Sequence, residues 1–299
     1  MTAATPVVFP ATESQVRGES LWGKARRRFF RHKLAMAGLW ILGTMVLLAI
    51  FAPMIERYPP NEINLEAMSQ PPSLEHWLGT DTTGRDYWSR LVHGARVSLS
   101  VGLVAVSIST VIGVVLGSLA GYGGGKIDMV IMRFTDMVMT FPSLVIIIAV
   151  VAVLGPSIYN TMLVIGLLSW PTIARLVRGQ FLSLREQQFV VAARSIGVAP
   201  VEIIFRHLFP NVLSAVIVAA TFGVAVAILQ EASLSFLGLG VQAPTPSWGN
   251  MLRDVQTLSI LEGMPWLWIA PGIMIALAVL SINFIGDGLR DAFDPRSTL

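Results

Sequence analysis

Six windows of this 299-residue sequence, 34–55, 97–122, 137–156, 158–174, 211–230 and 266–286, hold no Asp, Glu, Lys or Arg; all 21 basic and 18 acidic residues fall between them. A helix of roughly 20 apolar residues spans the hydrocarbon of a bilayer and satisfies every backbone N–H and C=O within itself. The six windows therefore predict an all-α integral membrane protein with six transmembrane helices. Composition agrees: 54% of residues are hydrophobic, 13% are charged and the mean hydropathy is +0.68, far from a soluble balance. Only Ser157 separates the third window from the fourth, and Gly155-Pro156 predicts a turn there. Pro171 interrupts the fourth, the shortest of the set.

Six crossings put both ends on one side of the membrane, and the bias of Lys and Arg between connecting segments sets which side. Segments 1–33, 123–136, 175–210 and 287–299 carry 7, 2, 5 and 2 basic residues, whereas 56–96 and 231–265 carry 4 and 1. The first group is expected in the cytoplasm, with the termini, and the second group outside. The first window is longer than the apolar core of a secretory signal and lacks a small-x-small cleavage site, so it reads as an uncleaved helix. Before it, "LWGKARRRFFRHK" mixes Trp22, Phe29 and Phe30 with basic residues, which suits a short helix on an anionic lipid surface. A disordered positive flank that only sets topology is the alternative.

The search for reaction chemistry is mostly negative. There is no cysteine, and His32, His76, His93 and His207 all lie outside the windows without metal-ligand spacing. No metal site and no catalytic residue is expected. "AGYGGGKI" (120–127) has Ala120 where a phosphate loop needs its first Gly and Ile127 where it needs Ser or Thr, so it reads as a turn. Proton- or sodium-driven carriers keep ionisable groups at membrane depth; with none here, any transport draws its energy from another subunit. Gly113, Gly117 and Gly121 recur every fourth residue and leave one smooth helix face for close approach. Their partner helix lies either in this chain or in another.

The longest internal basic segment, 175–210, carries the most information. "REQQFVVAARSI" from Arg185 to Ile196 is compatible with a helix that places Phe189, Val190 and Ala193 on one face. Gly197 suits its C-terminal cap and Pro200 the first turn of a following helix. Small Ala192 and Ala193 would let the helix sit deep in a groove of another protein, with Arg185, Glu186 and Arg194 at the rim. An ordinary connector packed on its own bundle fits the residues equally.

These residues resemble the EAA loop of bacterial ABC importer permeases, in which Ala192, Ala193, Gly197 and Pro210 fall in register, while Val191, His207 and Phe209 replace the pattern's Glu, Ile and Leu. Three further stretches are similar to the C-type subunit of the dipeptide/oligopeptide/nickel permeases: "HWLGTDTTGRDYWSRLVHGARVSL" (76–99), "EASLSFLGLGVQAPTPSWGNML" (231–252) and "GDGLRDAFDPR" (286–296). The resemblance implies a type I ABC importer permease fold in a prokaryotic plasma membrane. It implies a second, B-type permease as heterodimer partner, two cytoplasmic ATPases that use ATP and Mg, and an external substrate-binding protein. This chain would bind no cofactor and no nucleic acid and hydrolyse nothing, and the helix at 186–200 would couple it to the ATPases. Peptides are the preferred substrate class; nickel, glutathione and other small solutes also fit so broad a family.

In the segments expected outside, Asp81, Arg85, Asp86 and Arg90 are spaced for mutual salt bridges, with docking of the binding protein as a second role. Asp86 and Arg90 stand i, i+4 if helical. Gly238, Gly240, Pro244 and Pro246 break regular structure, and Trp248, Trp266 and Trp268 suit a membrane interface. A re-entrant or interfacial scoop beneath the binding protein is expected there. Glu231 could meet a peptide amino group or a metal ion, but pairing with Arg253 or Arg85 is the expectation. A self-contained carrier or channel, and a membrane-embedded signalling scaffold, are the two readings of other classes.

Overall fold

The computed structural model describes residues 21–294. Of the terminal segments expected at 1–33 and 287–299, residues 1–20 and 295–299 lie outside the described residues. The chain runs α1 (Leu21–Arg31), α2 (Lys33–Ile50), a single turn α3 (Ala52–Ile55), α4 (Tyr87–Gly123), α5 (Gly125–Thr140), α6 (Ser143–Leu154) and α7 (Ile158–Leu184). It continues through α8 (Gln188–Ser195), α9 (Pro200–Glu202), α10 (Phe209–Phe236), α11 (Trp248–Arg253), α12 (Leu258–Gly263) and α13 (Trp266–Phe293). Among the described residues the architecture is helical, with one isolated antiparallel bridge between Thr80 and Asp86.

Among the described residues five single helices are long and apolar enough to cross a membrane: Lys33–Ile50, Tyr87–Gly123, Ile158–Leu184, Pro200–Phe236 and Trp266–Phe293. The expected span at 137–156 falls on a bent pair, α5 and α6, which meet at 83° and, taken as one broken span, make the sixth. Pro142 disfavours the helical region for Phe141 before it, and Phe141 is extended at φ −94°, ψ 142°. Hydropathy does not register this break, because both sides of it are apolar. Pro171, by contrast, leaves α7 unbroken over 27 residues.

Pro200–Phe236 is continuous but not uniform. Between α9 and α10, Ile203–Leu208 forms a π turn in which the Phe209 N–H reaches back five residues to Ile204 O. Pro210 follows at once and has no N–H to give; a widened turn is a common way to absorb such a gap.

Two buried clusters mark the ends of the bundle. At one end Ile173, Val177 and Phe181 of α7 pack with Val190 and Ala193 of α8 and Val212 and Val216 of α10. At the other, Met45 and Ala49 of α2, Tyr87 and Leu91 of α4, Trp248 of α11 and Leu267 of α13 close together. These are called the α8 end and the α11 end below.

The glycine face of α4 finds its partner inside this chain. A Cβ on Gly113, Gly117 or Gly121 would lie 2.7, 2.5 and 2.5 Å from Ile173 Cβ, Ala174 O and Phe181 Cβ of α7. Contact at that separation excludes any side chain, so the two backbones pack directly. Two ion pairs add α5 to this pair, Arg178 Nε with Asp128 Oδ1 at 2.5 Å and Arg175 with Asp136 at 2.6 Å.

Gly117→Ala forces the α4 and α7 backbones apart and should lower stability by about 1–3 kcal/mol. Gly272→Ala, whose Cβ meets nothing within 4 Å, should leave it unchanged or raise it slightly. Thermal unfolding of the detergent-solubilised protein distinguishes the two.

Candidate functional site

The α8 end presents a short helix on a rigid corner. α7 ends at Leu184, and the chain re-enters helix only at Gln188, so the helix expected from Arg185 to Ile196 is shorter, Gln188–Ser195. Its C-terminus is closed by a Schellman pair: Val198 N–H donates to Ala193 O and Gly197 N–H to Arg194 O, both at 3.1 Å. Gly197 sits at φ +82°, a conformation open to glycine but strained for residues with a side chain. Pro200 then starts α9 with its fixed φ.

Val190 and Ala193 are buried against the bundle, while Phe189, Ala192, Arg194 and Ile196 are exposed. Of the expected face only Val190 and Ala193 are buried, and the expectation that both alanines point into a partner's groove is corrected for Ala193, which packs on the chain's own bundle. At about 100° per residue Ala193 lies about 40° from Phe189 and about 60° from Val190, so Phe189 sits at the exposed edge of that face, while Ala192, about 100° from Ala193, leaves it. Arg185 does not stand free at a rim: it donates to Gly121 O of α4 at 3.1 Å and pairs with Glu186 at 3.0 Å. Arg194 lies over the Tyr122 ring, 5.9 Å from its centroid. The exposed apolar surface left at this end comprises Phe189, Val191, Ile196, Val201 and Phe205.

The α11 end is organised by buried polar groups. Asp81 Oδ1 accepts from Thr83 N–H at 2.9 Å and Arg85 N–H at 3.0 Å, and its Oδ2 from Arg85 Nε at 2.6 Å. Asp86 caps α4 by accepting from Ser89 N–H at 2.9 Å and holds His76 Nδ1 at 2.9 Å. The expected Asp86–Arg90 pair is absent, because capping aims that carboxylate along the helix axis. Arg90 turns instead to Pro60 O at 3.1 Å, Asn61 Oδ1 at 3.3 Å and, more distantly, Asp81 at 3.8 Å.

Glu231 is also not where it was expected. α10 continues to Phe236, so Glu231 is enclosed within a spanning helix, 0% exposed, and meets neither Arg253 nor Arg85. Its two oxygens accept from Ser98 Oγ of α4 at 3.0 Å and Ser235 Oγ at 2.7 Å. Those hydroxyls in turn accept from Trp248 N–H at 3.2 Å and Val241 N–H at 3.0 Å. One carboxyl thus joins α4, α10, the 237–247 loop and α11. Trp248, expected at a membrane interface, is fully buried and donates through its indole to Leu91 O at 3.2 Å. Asp81, Asp86, Glu231 and Trp248 are therefore enclosed and do not form a docking surface; Arg253 remains exposed and Arg85 half-buried.

Among the described residues no group of His, Cys, Asp and Glu is placed to hold a metal ion. The arrangement offers a stiff polar knot at one end and a helix-on-corner at the other, both anchored to α4 and α10.

Comparison with known proteins follows that outline. Residues 113–299 match the model of the binding-protein-dependent transport system inner membrane component family, and residues 20–72 match the N-terminal transmembrane domain of oligopeptide transport permease C. The chain is 46% identical to the dipeptide transport system permease protein DppC of Alkalihalophilus pseudofirmus, over 96% of this chain and 94% of that one. It is 41% identical to the oligopeptide transport system permease protein OppC of Bacillus subtilis, over 93% and 90% of the two chains. The glutathione transport system permease protein GsiD of Escherichia coli is 42% identical over 98% and 95%. An inward-facing structure of the MetNI methionine ABC transporter shares the fold, with a TM-score of 0.55 at 18% identity over 68% of this chain and 95% of that one.

Glu231→Leu keeps the volume but strands the Ser98 and Ser235 hydroxyls, and should cost about 1–3 kcal/mol. Glu231→Gln keeps one acceptor for them and should cost less. Denaturant unfolding of the purified chain checks the order.

Proposed function

The chain belongs to the binding-protein-dependent transport system inner membrane component family, and on that footing we propose that it is the C-type permease of an ATP-driven peptide importer. It forms the passage with a second, B-type permease, receives solute from an external binding protein, and is driven by two cytoplasmic ATPases that consume ATP and Mg. The chain supplies no hydrolytic group of its own.

The observation that carries this reading is the α8 corner. A helix of eight residues is held to the bundle by Val190 and Ala193, capped by a left-handed glycine, and turns an apolar ridge outward. Such an element transmits displacement: a partner that moves it also moves α7 and α10, to which the same cluster ties it. ATP-dependent closure of the ATPases would then bias the bundle between inward- and outward-facing states. The excess of Lys and Arg supports a cytoplasmic α8 end and cytoplasmic termini in a prokaryotic plasma membrane. The α11 end then faces the binding protein. Its exposed surface, including Leu74, Ile63 and Leu65, offers contacts that the buried acids cannot.

The names of the relatives support a peptide substrate, dipeptide, oligopeptide or the tripeptide glutathione. Basic, half-exposed α1 supports contact with anionic lipid, as its Lys24, Arg26 and Arg31 are exposed beside exposed Phe30.

Gly197→Pro cannot adopt φ +82° and should undo the corner while the spans insert. In the reconstituted complex with its binding protein, peptide-stimulated ATP hydrolysis and uptake should fall together, at least tenfold. Ile196→Asp, which leaves the capping bonds in place, should weaken ATPase association. Wild-type uptake in both variants would reduce α8 to a connector.

A further inference from the structure

A cleft of about 560 Å³ opens behind the α5–α6 bend, walled by α4, α7 and α10. Its volume falls in the range of small-molecule sites, roughly 300–1,000 Å³. Most of its wall is apolar, but Ser109, Ser143, Ser169, Thr172 and Gln230 also line it, and no charged side chain does. We infer that this cleft holds the main chain of a short peptide in transit through uncharged hydrogen-bonding groups, an inference that rests on the peptide reading above.

Three observations converge on it. The Gln230 side-chain oxygen is buried without a hydrogen-bond partner, so an acceptor stands ready for an incoming N–H. Ser143, Ser169 and Thr172 make no side-chain hydrogen bond among the described residues and are free to meet a ligand, unlike Ser109 in the same wall, whose hydroxyl donates to Val106 O. The helix break itself, Phe141 to Ser143, lies in the wall, and Pro142 leaves the start of α6 without a side-chain cap. Irregular backbone at membrane depth is tolerated where it borders a cavity.

The chemistry selects the occupant. A lipid chain gains nothing from four open polar groups, and a bare ion needs charge or a closed ring of oxygens. Every peptide repeats the same N–H and C=O whatever its side chains, and neutral hydroxyls and an amide can read that repeat without choosing among sequences. Lacking a fixed charge, the cleft holds its ligand briefly, as passage requires.

The chain has no cysteine, so Ser169→Cys introduces the single thiol of this subunit. The assembled complex, with ATPases, second permease and binding protein in proteoliposomes, is treated with a maleimide during ATP turnover, with or without tri-alanine. Tri-alanine should slow alkylation of Ser169→Cys at least fivefold and leave Ser183→Cys, exposed at the end of α7, unaffected. Adding Gln230→Leu should remove most of that protection. Equal rates at Ser169→Cys with and without tri-alanine, in a complex that still takes the peptide up, overturn the cleft assignment and leave the importer intact; a resident lipid would give that result. If the wild-type complex takes up neither tri-alanine nor any other peptide, the transport reading falls and the cleft assignment with it.

Discussion

Backbone contact between α4 and α7 sets the frame for everything else. Gly113, Gly117 and Gly121 bring the two helices together without intervening side chains, and this contact extends along two turns. In lipid there is little hydrophobic gain in pairing apolar helices, so packing of this closeness supplies the attraction. With α4 and α7 fixed as one slab, α10 lies across it, and both ends of the slab acquire their elaborations. Arg185 reaches Gly121 O at one end, and Asp86 caps α4 at the other.

The two ends solve different problems. At the α11 end, irregular chain from residue 56 to 86 and from 237 to 247 must satisfy its backbone without regular partners. Buried carboxylates do this: Asp81 gathers a turn, Asp86 a helix start, and Glu231 a loop and α11. The cost of enclosing such groups is offset only because their oxygens are filled. At the α8 end the short helix is held by apolar contact instead, through buried Val190 and Ala193.

Much of this was legible in the amino-acid order. The absence of charge located the spanning helices, and Gly197 with Pro200 located the corner, because both signals are local. What failed were readings that depended on direction. Glu231 was expected to meet an arginine, but the helix runs past it and its neighbours are Ser98 and Ser235. Trp248 was expected at an interface on composition, yet Gly94 leaves a hollow that its ring fills. The bend at Phe141-Pro142 is invisible to hydropathy, although a proline after an aromatic residue amid an apolar run was the available sign. Gln230 leaves one faint mark in the sequence, a polar amide one residue from an acid at the end of an apolar run.

The π turn at Ile203–Leu208 has a reach out of proportion to its size. One extra residue in a turn sets every later side chain about 100° behind the phase of an unbroken α-helix. The direction in which Val212 and Val216, and far along the same helix Gln230 and Glu231, look out is therefore chosen at the foot of α10. Six residues beside the corner act as a phase setting for 28 residues that cross the whole molecule.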